Sequence, residues 1–166
     1  IDPARVIEQF QGEKQLPLIR SWMQAIQASV HLQLLNQALN EMLLAENDAA
    51  ALATSFQRSD RFDTLSWATR LQGHERRDMR RLAADLLRRN RRWVPALELL
   101  IGEGLYEEAI ELACASNEAK LVTRLLQELS GAGYGELYVL LLWQAGDLIP
   151  MDVALETAWK AGWMDL

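Results

Sequence analysis

Two histidines, His31 and His74, one cysteine, Cys114, and a cluster of arginines between residues 76 and 92 are the side chains from which chemistry could be built in this 166-residue chain. Acid–base catalysis needs an imidazole within reach of a nucleophile or of a second titratable group. His74 lies between Gly73 and Glu75, but no nucleophile stands at a meaningful spacing from it, so capping or packing is its expected role. His31 has no Cys, Asp or second His one helical turn away. A single thiol forms no internal disulfide, and with two unspaced histidines it makes no metal-ligand set; no metal and no cofactor are expected, and a reducing compartment fits. Gly131-Ala132-Gly133-Tyr134-Gly135 is glycine-rich, yet it follows a helical stretch and lacks a Lys-Ser/Thr pair, so it reads as a turn and not a phosphate loop. No catalytic residue is assigned, and the chain is read as a non-enzyme.

The arginines point to another kind of chemistry. Fourteen of the seventeen basic residues are Arg, which favours persistent, bidentate ion pairs. Winding Glu75–Arg89 as a helix gathers Arg76, Arg77, Arg80, Arg81 and Arg88 on an arc of about 140°, opposite Met79, Leu82, Ala83 and Leu86. Such a stripe suits docking of an acidic protein surface. The competing reading is a solvated face that pairs with Asp78, Asp85 and the acidic helices that follow. Nucleic acid is not expected, because no aromatics are interleaved with the arginines and the chain carries net charge −6. That total divides into −2 over residues 1–74, +5 over 75–97 and −9 over 98–166. Division of this kind favours contacts between protein surfaces.

The elements beneath these residues are helical. Leu and Ala supply 52 residues, while Val, Ile and Thr supply 18, a balance that selects helix over sheet. Asp2-Pro3, Leu16-Pro17, Asp48 and Asp63 or Thr64 mark helix starts, and Leu32, Leu35, Leu39, Met42 and Leu43 trace one helix face. Further helices are expected over Glu75–Arg89, Arg92–Ile101, Leu105–Ala115, Glu118–Leu129, Gly135–Ala145 and Pro150–Ala161. Gaps this short make neighbours antiparallel. Hairpins beginning near Asp60, Asn90, Asn117 and Pro150 are 30, 27 and 33 residues apart, within the period of helical-repeat solenoids.

Trp93-x-x-Ala96-Leu97 followed by Gly104-Leu105-Tyr106-Glu107-Glu108-Ala109 sets large residues on one helix against small ones on the next, as in tetratricopeptide-type hairpins, so a repeat that grips a partner peptide is the alternative function. Trp22, Trp67, Trp93 and Trp143 lie on apolar stripes and are expected in the core, whereas Trp159 and Trp163 are expected to pack on a continuation of the chain. The longest apolar run, Leu137 to Trp143, is far shorter than a membrane span, so no insertion into a bilayer is expected. No secretory signal is visible, and the absence of an initiator Met reads as a fragment.

Specific strings occur in a fixed order: Lys14-Gln15-Leu16-Pro17-Leu18, Leu35-Asn36-Gln37-Ala38-Leu39-Asn40, Asp60-Arg61-Phe62-Asp63, Leu71-Gln72-Gly73-His74-Glu75 and Arg80-Arg81-Leu82-Ala83-Ala84. Asn90-Arg91-Arg92-Trp93, Leu105-Tyr106-Glu107-Glu108-Ala109, Asp147-Leu148-Ile149, Asp152-Val153-Ala154-Leu155-Glu156-Thr157-Ala158-Trp159 and Met164-Asp165 continue the series. Together they resemble the clathrin heavy-chain family, in the last leg repeat running into the trimerisation region. The resemblance implies an all-α fold, an α-solenoid in which stacked antiparallel hairpins wind a right-handed superhelix. Residues 1–59 would end the preceding hairpin stack, 60–149 would form the hairpins of the last repeat, and 150–166 would begin the trimerisation hub, truncated at Leu166 and so unable to hold a stable trimer. It implies a structural scaffold of coated pits and coated vesicles on the cytosolic face of membranes, acting in endocytosis. Other heavy chains and a clathrin light chain are the implied partners. Arg76, Arg77, Arg80, Arg81 and Arg88 are then candidates for an interprotein face, and Trp159, Trp163 and Met164 for contacts near the trimer axis.

Overall fold

The structure, a computed structural model, describes residues 2–30 and 32–164; His31 lies outside the described residues. Eleven α-helices and no strand occur among them. They are α1 (Pro3–Gly12), α2 (Arg20–Ile26), α3 (Gln33–Ala45), α4 (Ala49–Arg58), α5 (Thr64–Gln72), α6 (Arg77–Arg89), α7 (Trp93–Gly102), α8 (Tyr106–Ser116), α9 (Ala119–Gly131), α10 (Gly135–Ala145) and α11 (Met151–Lys160). Short 3-10 turns, Leu16–Ile19 and Gly146–Leu148, precede α2 and follow α10. The architecture is therefore all-α.

Local chemistry accounts for where helices begin. Asp2 Oδ1 accepts from the amide of Ala4 at 3.0 Å, with Pro3 at the first helical position. Asp48 accepts from Ala51 at 3.0 Å and Asp63 from Ser66 at 3.1 Å, so three acidic caps each satisfy a free amide of a first turn. Six of the eleven helices, α1, α3, α6, α7, α9 and α11, end in one recurring pattern. Lys14, Asn47, Arg91, Gly104, Gly133 and Gly162 all take positive φ, between 55° and 78°. In each case the next residue donates its amide to the carbonyl five residues earlier: Gln15 to Phe10, Asp48 to Leu43, Arg92 to Leu87, Leu105 to Leu100, Tyr134 to Leu129 and Trp163 to Ala158, at 2.8–3.1 Å. This is the Schellman closure, which satisfies the last free carbonyls and reverses the chain within a few residues.

The chain divides into two compact units, Ile1–Trp67 and Ala68–Leu166. In the first, α1, α2 and α4 pack on α3 around Ile7, Met23, Leu35, Leu39, Leu43 and Leu52. A polar network lies inside this core. Gln27 Nε2 donates to Asn36 Oδ1 at 2.9 Å and to Ser55 Oγ at 2.7 Å, Asn36 Nδ2 donates to Ser59 Oγ at 2.8 Å, and Ser55 Oγ donates to Asn40 Oδ1 at 2.6 Å. All five residues are buried. In the second unit each helix from α6 to α9 packs on its successor, while α10 also touches α8 and α11 packs on α9. Contact both one and two helices along produces two layers, with α9 and α11 in one and α8 and α10 in the other. Met79, Leu86, Leu97, Ile110, Leu125, Leu126 and Leu141 fill the space between them.

The tryptophans correct one expectation. Trp67 is buried against Phe56, and Trp22 and Trp93 are half-buried, but Trp143 is 88% exposed. Helix α10 is apolar on nearly every side and can bury only one arc, which Tyr138, Leu141 and Ala145 occupy; Val139 and Trp143 fall opposite.

Two stability outcomes are expected. Leu125, fully buried in α9, leaves a cavity when cut back, so Leu125→Ala lowers unfolding free energy by about 2–5 kcal/mol in chemical denaturation. At the corners, Arg91→Gly removes the steric cost of left-handed backbone and stabilises by up to about 1 kcal/mol. Gly104→Ala, at φ +69°, costs about that much by the same measurement.

Candidate interaction surfaces

Helix α6 positions the arginine stripe. Its apolar side (Met79, Ala83, Leu86, Leu87) is buried, which turns Arg77, Arg81 and Arg88 outward. Residue 76 holds an extended conformation, φ −81° and ψ 132°, so the helix begins two residues later than Glu75, and the Nδ1 of His74 accepts the Arg76 amide at 3.1 Å. His74 is thereby a turn residue, tied to backbone.

Four of the five stripe arginines have partners within the chain. Arg80 forms a bidentate pair with Glu103, and its remaining nitrogen donates to the carbonyls of His74 at 2.7 Å and Glu75 at 2.6 Å. This one guanidinium fastens the loop before α6 to the corner after α7. Arg77 donates to the Glu103 carbonyl at 2.6 Å, with its Nε 3.9 Å from the carboxylate. Arg81 pairs with Glu108 of α8 through contacts of 3.0 and 2.8 Å. Arg76 pairs with Asp78, two residues away. Arg88 is exposed and makes no ion pair among the described residues; it lines a cleft with Asp85, Leu100 and Glu111. The one-sided charge expected of this helix is present, and it is largely engaged by carboxylates 23 to 27 residues further along the chain.

These pairings set the titration of the acids. The hydrogen bond from Arg80 holds the Glu103 carboxyl below its ordinary 4.5, against an opposing effect of burial and with added attraction from Arg80 and Arg77. The hydrogen bond from Arg76 lowers Asp78 in the same way. Burial raises the Cys114 thiol above its ordinary value, so this side chain is not an activated nucleophile. No cluster of three or more potential metal ligands exists among the described residues.

The second candidate surface lies on α10 and α11. Trp159 is 57% exposed, while Trp163 meets Tyr138 edge-on, with ring centroids 5.0 Å apart, and keeps a third of its surface open. Met164 is similarly half-open. The Tyr138 hydroxyl donates to the Ala154 carbonyl at 2.6 Å and lies 2.8 Å from Thr157 Oγ1, which locks α11 onto α10. Reading spacing alone overlooked Met151 and Leu155, which continue the Trp159 face at intervals of four, and Val139 beside Trp143; all four are strongly exposed. The i, i+4, i+8 spacing of Met151, Leu155 and Trp159 was the available signal.

A chain of helices packed in adjacent pairs, with outer charges engaged by partners 23 to 27 residues further along, is a helical-repeat module. Residues 1–137 match a family model described as a region in clathrin and VPS, and the chain belongs to that family. It is 32% identical over 165 residues to a probable clathrin heavy chain 1 of Caenorhabditis elegans, covering 99% of this chain and 10% of that protein. It is 33% identical over 160 residues to the clathrin heavy chain of Drosophila melanogaster, and 32% identical over 166 residues to clathrin heavy chain 2 of Homo sapiens, covering 96% and 100% of this chain. The chain spans about a tenth of the length of these relatives.

The pairing of Glu103 gives a pH outcome with a definite sign. Its folded-state value lies below the unfolded one, so its contribution to stability is complete above about pH 4.5 and disappears as pH falls through the lower folded value. Glu103→Gln is expected to unfold more readily at neutral pH and to lose less stability than the parent between pH 5 and 3, approximately, in denaturant titrations at each pH.

Proposed function

We propose that this chain is a scaffold segment of a clathrin heavy chain, building the polyhedral coat of coated pits and coated vesicles on the cytosolic side of membranes in endocytosis and intracellular transport. The observation that carries this reading is collinear similarity to clathrin heavy chains across 99% of the chain, on a fold whose core residues build helix pairs. No helix among the described residues is long and apolar enough to cross a membrane, which is compatible with a coat that lies against one. A two-layer helix stack suits a scaffold because each hairpin contacts only its neighbours, so further hairpins extend it without altering the core.

Within that reading, residues 1–59 end one hairpin stack, residues 60–149 form the last heavy-chain repeat and residues 150–166 enter the trimerisation region. Other heavy chains and a light chain are the partners. The outward stripe of Arg76, Arg77, Arg80, Arg81 and Arg88 offers one interprotein face, with Arg80 acting mainly to hold it in place. The exposed side of α11, with Trp159, Trp163 and Met164, offers the surface nearest the trimer axis.

The test is performed on the full-length protein carrying this segment. It is expected to co-purify with coated vesicles and to assemble into closed cages visible by electron microscopy. Reversing Arg77, Arg81 and Arg88 to Glu, in protein whose circular dichroism shows helix content intact, is expected to weaken light-chain capture or cage assembly. Absence from coated vesicles would refute the scaffold reading; cages and light-chain capture unchanged by the reversal would refute the role of the stripe.

A further inference from the structure

Three of the stripe arginines meet at one open cleft. Arg76, Arg77 and Arg81 line a hollow of about 460 Å³ together with Leu105 and a single acid, Asp78. Clefts of this volume hold small molecules.

What the cleft presents to solvent depends on how each guanidinium is already engaged. Arg76 donates to Asp78 through Nε and Nη2, Arg77 donates to the Glu103 carbonyl through Nη2, and Arg81 meets both oxygens of Glu108 through Nε and Nη2. In each of the three, Nη1 has no hydrogen-bond partner among the described residues. A guanidinium carries five N–H donors in a rigid plane, so a partner at one edge fixes its orientation and leaves another edge available. The acids that hold Arg77 and Arg81 do not line the cleft, and they are withdrawn relative to the arginines: the Glu103 and Glu108 side chains are 14% and 29% exposed, those of Arg77 and Arg81 58% and 56%. Asp78 has both oxygens occupied by Arg76, one of them also by the Met79 amide. Donors therefore predominate at the opening.

Local energetics do not explain two of these arginines. Arg76 is the N-cap residue of α6 and supplies no side-chain cap, and Arg77 follows it, both at the positive end of the helix dipole where acids are favoured. The tie from α6 to the Glu103 carboxylate is already made by the bidentate pair of Arg80. Positive charge placed at a local cost, beside a tie that does not need it, marks a functional position, since elsewhere in a foldable sequence local and global preferences agree. Three guanidinium edges at separate positions suit an anion with several oxygens in a tetrahedral array, whereas a planar carboxylate fills one fork. We propose that the cleft of Arg76, Arg77 and Arg81 binds a small, multiply charged phosphate compound, held by the free guanidinium edges beside Leu105. The site is built from α6 and the corner before α8 alone, so it stands apart from the scaffold reading.

The experiment is isothermal titration calorimetry on the full-length protein carrying this segment, with pyrophosphate as the probe and citrate as its carboxylate counterpart. Pyrophosphate is expected to bind saturably, and citrate to bind roughly tenfold more weakly or less. R76Q/R77Q/R81Q, which leaves Arg80 in place, is expected to weaken pyrophosphate binding by about tenfold or more, the loss of charge-assisted contacts. R88Q/R91Q/R92Q removes the same charge from the corner following α6, where all three side chains are exposed, and is expected to bind like the parent. L105E keeps every arginine and sets a carboxylate in the cleft; with helix content unchanged by circular dichroism, it is expected to abolish binding. Equal affinity for citrate, equal weakening by R88Q/R91Q/R92Q, or parent-like binding by R76Q/R77Q/R81Q or L105E would each overturn the proposal. So would capture of a phosphoserine peptide, lost in R76Q/R77Q/R81Q, without binding of pyrophosphate. None of these results touches co-purification with coated vesicles, by which the scaffold reading stands or falls.

Discussion

A single backbone hydrogen bond, from the residue after a left-handed corner to the carbonyl five positions earlier, recurs at six of the chain's corners, and the helix-pair architecture depends on it. By satisfying carbonyls that a helix end leaves free, it stops the helix at a fixed residue and aims the chain back along its own length. Connections of a few residues then permit only an antiparallel neighbour. Every helix confined in this way needs one apolar arc for the helix before it and another for the helix after, which is why α9 buries Leu121, Val122, Leu125, Leu126 and Leu129 while exposing a narrow polar strip. The abundance of Leu and Ala follows from that geometry: Leu fills the layer between helices, and Ala, as at 83, 96, 109 and 113, lets backbones approach.

Charged residues inherit the same constraint. With helices two apart lying in one layer, an outward side chain finds a partner about 26 residues along the chain. Arg20 reaches Glu46 and Asp48, Arg77 and Arg80 reach Glu103, Arg81 reaches Glu108, and Glu98 meets Arg124 at 2.9 Å. Pairs exposed to this degree add little individually, with Arg124 and Glu98 each about half open to solvent. Their effect is orientation. Arg80 is the exception in kind, because its side chain also caps two loop carbonyls and so joins three segments through one group.

How far these features could be read in advance depends on the range of the interaction. Helix limits rest on residues within one turn of each other, so Asp48, Asp63 and Gly104 announced themselves, and the expected helices from α6 onward start and stop within about two residues of those observed. The direction in which α10 turns its apolar surface was not readable, because Leu137 to Trp143 is apolar on every side and only its neighbours decide which arc is covered. The arginine stripe lies between these cases. Its one-sidedness follows from the 100° step, but Glu103 and Glu108 emerge as partners only when α6, α7 and α8 are stacked. The buried set of Gln27, Asn36, Asn40, Ser55 and Ser59 was hidden for the same reason: polar residues spread over 33 positions meet only after three helices have packed.

That buried set bears on how a repeat fold keeps its register. An all-apolar interface between α2, α3 and α4 would tolerate sliding by a turn with little penalty, since one Leu substitutes for another. A network in which Gln27 must meet both Asn36 and Ser55 does not, because any shift strands several buried donors, each at a cost of about 1–3 kcal/mol. The first unit thus has its register fixed from inside, by polar groups. In the second unit no buried polar set of comparable size links α6 to α9 among the described residues, and the ties are peripheral: Arg80, Arg81 and Arg124 on the outer faces. Peripheral ties have a consequence that internal ones lack. They hold the stack and its surface charge in one and the same set of side chains, so what remains unpaired there, at the corner following α6, is defined by what the fold has already used.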